Sequence, residues 1–167
     1  QKHILDISAH KIFDAGCNIA IYGDAGAGKT TTLHMYAEKL YRTQRKGQIT
    51  LFLPLNRITK KIGAIDQSKL AYTINKDNPF ESLLNSFLLY KELSPSTENR
   101  AALTTALRES KKCTIIVDAL DEASSHAPWI IQALSSLPKN VSHAQVITSS
   151  RHCIKYIREI EFLGITL

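Results

Sequence analysis

Between Gly23 and Thr30 the chain reads Gly-Asp-Ala-Gly-Ala-Gly-Lys-Thr, a full match to the spacing GxxxxGK[ST]. Each residue type has a chemical reason to stand there. Backbone N–H groups converge on a phosphate only where the chain turns tightly, and glycines omit the Cβ atoms that would obstruct that turn. If a helix opens at Lys29, its unpaired amides and its dipole face the same anion. The expected phosphate-binding stretch is therefore Gly23, Asp24, Ala25, Gly26, Ala27, Gly28, Lys29, Thr30 and Thr31. Lys29 is suited to reach the β- and γ-phosphates of a nucleoside triphosphate. Thr30 is suited to ligate magnesium, and Thr31 to hydrogen-bond the α-phosphate.

Further along, Thr114-Ile-Ile-Val-Asp118 places a carboxylate at the end of an apolar run. In an open α/β sheet, ligands bind outside the carboxyl ends of the strands. Asp118 is thus expected to meet the magnesium held by Thr30. A strand-end aspartate can equally be a turn residue, and the phosphate loop is what favours the metal role. Asp121 and Glu122 follow at once, and a carboxylate there can orient or deprotonate an attacking water. Glu122 is the preferred base, with Asp121 the alternative or a holder of water around the metal. The competing reading has the pair flank a helix beginning near Ser124. Arg151 closes the run Thr148-Ser-Ser-Arg, where a guanidinium can sense a γ-phosphate.

These residues need elements to position them. Asn18 to Tyr22, Ile49 to Leu53, Cys113 to Val117 and Gln145 to Thr148 read as buried strands, and Glu159 to Leu163 as a fifth. Helical periodicity starts at Lys29, carries Leu33, Tyr36, Ala37 and Leu40 on one face, and stops near Gly47. Asn78 caps a helix entered through Pro79, and Ser94-Pro95 repeats that arrangement before a helix to about Arg108. A further helix is expected from Ala127 to Leu137, closed by Pro138, and a short one over residues 151–157. Residues 56–79 are the hardest to read. Lys60 to Gly63 and Asn75 to Pro79 look like turns, and Leu70 to Ile74 fits a short helix or a strand. Strands alternating with helices predict an α/β fold, a mostly parallel sheet covered on both faces.

At 167 residues with 44% hydrophobic content, one domain with a proper core is expected. The chain begins at Gln1 and its only methionine is Met35, so it reads as a piece of a longer protein. Cys17, Cys113 and Cys153 are odd in number and show no CxxC pair, which predicts reduced core or near-core thiols in a cytoplasmic setting. The formal charge is +6, but the basic residues are dispersed and lack interleaved aromatics, so nucleic acid is not the expected partner. No apolar run approaches membrane-spanning length.

Taken together, GDAGAGKTTTL, IIVDALDEA and VITSSR resemble the loop, acidic motif and sensor segment of the NACHT family, in the signal-transducing (STAND) branch of P-loop ATPases. The discriminating piece is Asp118-Ala-Leu-Asp121-Glu122, in which Ala119 stands where the family often has glycine. The resemblance implies a three-layer P-loop NTPase core with parallel strands in the order 5-1-4-3-2, occupying residues 18–167 and ending before the helical and winged-helix domains. Residues 1–17 would be a lead-in contributing to the base pocket, or packing on the sheet through Ile4, Leu5, Ile7, Ile12 and Phe13. It also implies ATP and ADP as ligands with magnesium, a preference for adenine that no residue pattern here establishes independently. The implied activity is an ATPase switch controlling oligomerisation in an immune or stress signalling protein, with sensor and effector domains in the same chain. Alternatives are an assembly module with little hydrolysis and a motor or loader ATPase acting on nucleic acid.

Overall fold

Four β-branched or apolar runs and one exposed strand pair side by side in a single parallel sheet. The computed structural model describes residues 10–121 and 128–167. The strands are β1 (Ile19–Tyr22), β2 (Gln48–Pro54), β3 (Lys112–Asp118), β4 (Ala144–Ser150) and β5 (Leu163–Thr166). Every pairing is parallel. Their order is β2-β3-β4-β1-β5, which read from the other edge is the expected 5-1-4-3-2. Parallel strands all end on the same side, so residues far apart in sequence meet there. Val117 lies opposite Thr148, and Tyr22 opposite Ser150. The phosphate loop, Asp118 and Arg151 thereby leave the sheet at one edge.

The strands bury both faces, as parallel sheets require. Because side chains alternate along a strand, Ile19 and Ile21 point to one face and Ala20 to the other. One face packs on α1 (Lys29–Arg42), whose Leu33, Tyr36 and Ala37 meet Ile116 and Ile147. The other packs on α4 (Pro79–Tyr90) and α6 (Trp129–Ser135), where Leu83, Leu84, Ile130 and Ala133 cover Ile115, Val117 and Val146. The remaining helices are α2 (Leu55–Gly63), α3 (Gln67–Thr73), α5 (Thr97–Glu109) and α7 (Leu137–Asn140). The result is a three-layer α-β-α fold of the P-loop type.

Several local expectations change. Lys60 to Gly63 belongs to α2 rather than a turn, while of the two readings of Leu70 to Ile74 the short helix holds, as α3. Helix α1 ends at Arg42, short of Gly47, where Thr43 donates its hydroxyl to the Lys39 carbonyl at 2.8 Å. Asn78 does cap α4, accepting the Glu81 N–H at 3.1 Å. The cap of α5, however, is Ser96 rather than Ser94, accepting the Asn99 N–H at 3.1 Å. Pro138 does not close α6. It sits in the first turn of α7, where a missing N–H costs nothing.

Residues 151–157 form no helix. Their backbone groups are taken by side chains instead: Ser150 Oγ donates to the His152 carbonyl at 2.6 Å, and the Ile154 N–H donates to the Tyr22 hydroxyl at 3.1 Å. The fifth strand starts at Leu163 and not Glu159, since the ladder opens only where the Leu163 N–H reaches the Asn18 carbonyl.

Ahead of β1, residues 10–14 are helical, and Phe13 is buried in the α1-side core with Ile12 packed beside it. Ile4, Leu5 and Ile7 lie outside the described residues. Gln145 ties this segment down, its Nε2 donating to the Phe13 carbonyl at 2.7 Å and the Cys17 carbonyl at 2.9 Å. Among the described residues no helix is long and apolar enough to cross a membrane.

Of the three cysteines only Cys113 is buried; Cys17 and Cys153 are exposed, contrary to the expectation of core thiols. Burial pushes the Cys113 thiol up to about 12. Alkylation of the native protein at pH 8 is therefore expected to label Cys17 and Cys153 and to spare Cys113 until denaturant is added. Mass spectrometry of the labelled peptides checks this, and equal rates at all three would contradict the packing of β3.

Candidate active site

The loop after β1 takes its shape from its glycines. Gly26 and Gly28 hold φ of +83° and +91°, a left-handed region that side chains with a Cβ rarely adopt. Gly23 is needed for space, since a Cβ there would come within 3.1 Å of Ala27 Cβ and 3.2 Å of the Leu167 carbonyl oxygen. Gly28 passes the chain into α1, whose first residue is Lys29. Lys29 Nζ donates to the loop's own carbonyls, Gly23 O and, at 2.9 Å, Asp24 O. The ammonium thus braces the loop from within and stands beside the space the loop encloses.

Across that space is the end of β3. Asp118 is buried, at 5% exposure, and its Oδ1 accepts two hydroxyl donors. One is Ser149 Oγ at 2.8 Å and the other Thr30 Oγ1 at 3.2 Å. Ser149 Oγ also accepts the Ala119 N–H at 2.8 Å, while Thr148 Oγ1 donates to the Val117 carbonyl at 2.8 Å. The ends of β3 and β4 are therefore stitched together by side chains just beyond their ladder. Ala119 has a φ of +62°, so a glycine at this position would relieve strain.

Arg151 and Asp121 also meet. Asp121 Oδ2 accepts the Arg151 backbone N–H at 3.2 Å and its Nε at 3.3 Å. Ala25, Gly26, Gly28, Lys29, Thr30 and Thr31 line one side of a cleft of about 350 Å³, and Ala119, Asp121 and Arg151 line the other. Most of the residues expected to do chemistry are thus brought together. Glu122, expected as the base, lies outside the described residues. The bond of Ser149 to Asp118 has no local sequence signal. The hydroxyl of Tyr22, anchored on residue 154, was not foreseen at all.

The match of the nephrocystin 3, N-terminal family covers residues 10–151, most of the chain. The chain belongs to that family. The match begins in the helical turn before β1 and ends on Arg151, so every candidate residue of the cleft falls inside it. Among solved structures the chain is similar to a Pif1 helicase from Candida albicans, with a TM-score of 0.54 and 17% identity. The alignment covers 97% of this chain and 38% of the helicase chain, so this chain spans well under half the length of that relative. At such identity the similarity is one of fold, and it agrees with the P-loop architecture of the sheet. No curated protein matches the chain.

The donor set suits a hard divalent cation. A carboxylate and a hydroxyl, Asp118 Oδ1 and Thr30 Oγ1, converge at 3.2 Å beside the phosphate loop. Among the described residues no group of three or more His, Cys, Asp or Glu gathers to hold a metal, here or elsewhere, so protein donors at this place are one carboxylate and one hydroxyl.

Two substitutions test the left-handed backbone at residue 119. Ala119→Gly should leave thermal stability unchanged or raise it by up to about 1 kcal/mol, whereas Ala119→Val should lower it by about 1–3 kcal/mol. Chemical denaturation separates the two. A stabilising valine would show that residue 119 is not left-handed.

Proposed function

We propose that this chain binds ATP with magnesium and hydrolyses it, and that the cycle works as a conformational switch. The observation that carries the reading is the approach of Thr30 to Asp118 across the mouth of the phosphate loop, 3.2 Å between residues 88 apart in sequence. A glycine turn serving only tight packing has no need of a buried carboxylate facing the helix start.

Each residue then has a part. The N–H groups from Gly26 to Thr31 cradle the phosphates, and Lys29 moves its ammonium from the Gly23 and Asp24 carbonyls to the β- and γ-phosphates. Thr30 and Asp118 would hold magnesium, which when bound neutralises charge on the phosphate oxygens. A water attacks the γ-phosphorus in line, the bond to the bridging oxygen breaks, and ADP and phosphate leave. Glu122 is the preferred acceptor of the proton that water gives up, and Asp121, which holds Arg151, is the alternative. Arg151 supplies the contact that separates triphosphate from diphosphate. Only such differential contacts can shift a conformational equilibrium.

On the resemblance of the three motifs, we assign the switch to control of oligomerisation in a NACHT-like immune or stress signalling protein of the cytoplasm. Sensor and effector domains would lie in the same chain. The described part of the lead-in packs on the core through Phe13 and Ile12, which supports placing that part against the nucleotide domain. A second reading is a module that holds nucleotide and scarcely turns it over. The contact of Arg151 with Asp121 supports it where the arginine stays there with nucleotide bound, since it then neither reads the γ-phosphate nor leaves that carboxylate to the attacking water.

Lys29→Ala should weaken binding of a fluorescent ATP analogue by about a hundredfold or more, and chelating magnesium should weaken it in the parent. Unchanged affinity in both titrations would overturn the site. Glu122→Gln should slow single-turnover hydrolysis by about 10²-fold or more while leaving affinity within a few-fold. Equal rates in mutant and parent would remove Glu122 as base, and no turnover in either would favour the holding module.

A further inference from the structure

Tyr22 is the last residue of β1 and stands directly before Gly23, the first residue of the phosphate loop. It does not line the cleft. Its ring packs on β5 so closely that a Cβ on Gly164 would lie 3.0 Å from the ring Cε2. That packing fixes where the hydroxyl points. The hydroxyl accepts the N–H of Ile154, three residues after Arg151, at 3.1 Å. Burial, the largest influence, raises the Tyr22 phenol above its ordinary value, so it stays neutral through the physiological range.

The turn that carries Arg151 is held at three points. Asp121 holds Arg151 itself, through the backbone N–H and Nε. Ser150 Oγ closes on His152, donating to its carbonyl at 2.6 Å and accepting its N–H at 3.1 Å. Tyr22 holds the far end at Ile154, whose side chain is buried at 7% exposure. When the Arg151 guanidinium leaves Asp121 for a phosphate, the Nε half of the first anchor is given up. The Tyr22 hydroxyl then remains as a link between the turn and the strand that leads into the phosphate loop.

We infer that Tyr22 is a positioning residue for Arg151, its hydroxyl holding the 150–154 turn in register with the phosphate loop so that the guanidinium discriminates triphosphate from diphosphate. This rests on the reading of Arg151 as the γ-phosphate contact. It adds a connection that neither the motifs nor the cleft lining contains: the start of the phosphate loop and the sensing arginine are tied through one phenol.

The test is Tyr22→Phe, which keeps the ring against Gly164 and removes only the hydroxyl, with its contacts to the Ile154 N–H and the Cys153 thiol. Affinities for ATP and ADP with magnesium are measured by calorimetry on the parent, Tyr22→Phe, Arg151→Ala and the double mutant. Tyr22→Phe should keep ADP affinity within about twofold and reduce the ATP-to-ADP affinity ratio by about five- to tenfold, the loss of one hydrogen bond's worth of positioning. The double mutant should lose no more discrimination than Arg151→Ala alone. Hydrogen exchange at the Ile154 amide should quicken in Tyr22→Phe by about tenfold. If Arg151→Ala lowers the ratio and Tyr22→Phe does not, the inference is overturned while the sensor reading stands. Equal losses for ATP and ADP in Tyr22→Phe would show general loosening and would also overturn it. An unchanged ratio in Arg151→Ala removes the sensor reading and this inference with it.

Discussion

A carboxylate taken out of water is expensive unless hydrogen-bond donors replace its hydration, and Asp118 is such a group at the end of β3. Its donors come from two other elements, the Thr30 hydroxyl from the first turn of α1 and the Ser149 hydroxyl from β4. Satisfying this one side chain therefore fixes the helix behind the phosphate loop relative to two strands of the sheet. Ser149 passes the constraint on to Ala119, whose left-handed backbone turns the chain toward Asp121. Asp121 in turn holds Arg151. The cleft is the space enclosed by that chain of contacts.

The sheet makes the arrangement possible. With β1 and β3 each paired to β4, the loop after β1 and the acid after β3 are separated by one strand's width, and β4 supplies the hydroxyls between them. An antiparallel neighbour would send one of these ends to the opposite edge. The two cores anchor the sheet from both faces, so the site is built from element ends whose positions are set by buried side chains.

Much of this was legible in the sequence because the signals are local. The phosphate loop is a contiguous spacing, the apolar runs of β1 to β4 end where turns or acids begin, and Asn78-Pro79 announces its helix in two residues. What was not legible depends on partners far away in the chain. Residues 151–157 have helical spacing, yet Tyr22, 132 residues earlier, takes a backbone N–H there and Ser150 closes a turn. The alternation Glu159-Ile-Glu-Phe162 imitates a strand, but pairing waits for Asn18 to meet Leu163. Lys60 to Gly63 looks like a turn from its glycine and charges, while Leu55 and Ile58, buried beneath it, hold that stretch in a helix. Ala119 was read as a small substitute for glycine, and the reason for smallness became visible only in its φ of +62°.

In the function proposed, Lys29, Thr30 and Asp118 exchange their present hydrogen bonds for contacts with a magnesium–nucleotide complex. A crystal structure with a non-hydrolysable ATP analogue and magnesium tests it most directly. Lys29 Nζ should leave the Gly23 and Asp24 carbonyls for the phosphates, and Thr30 and Asp118 should come to the metal. A nucleotide bound away from the loop, or bound there with the Lys29 contacts to Gly23 and Asp24 intact, would contradict it.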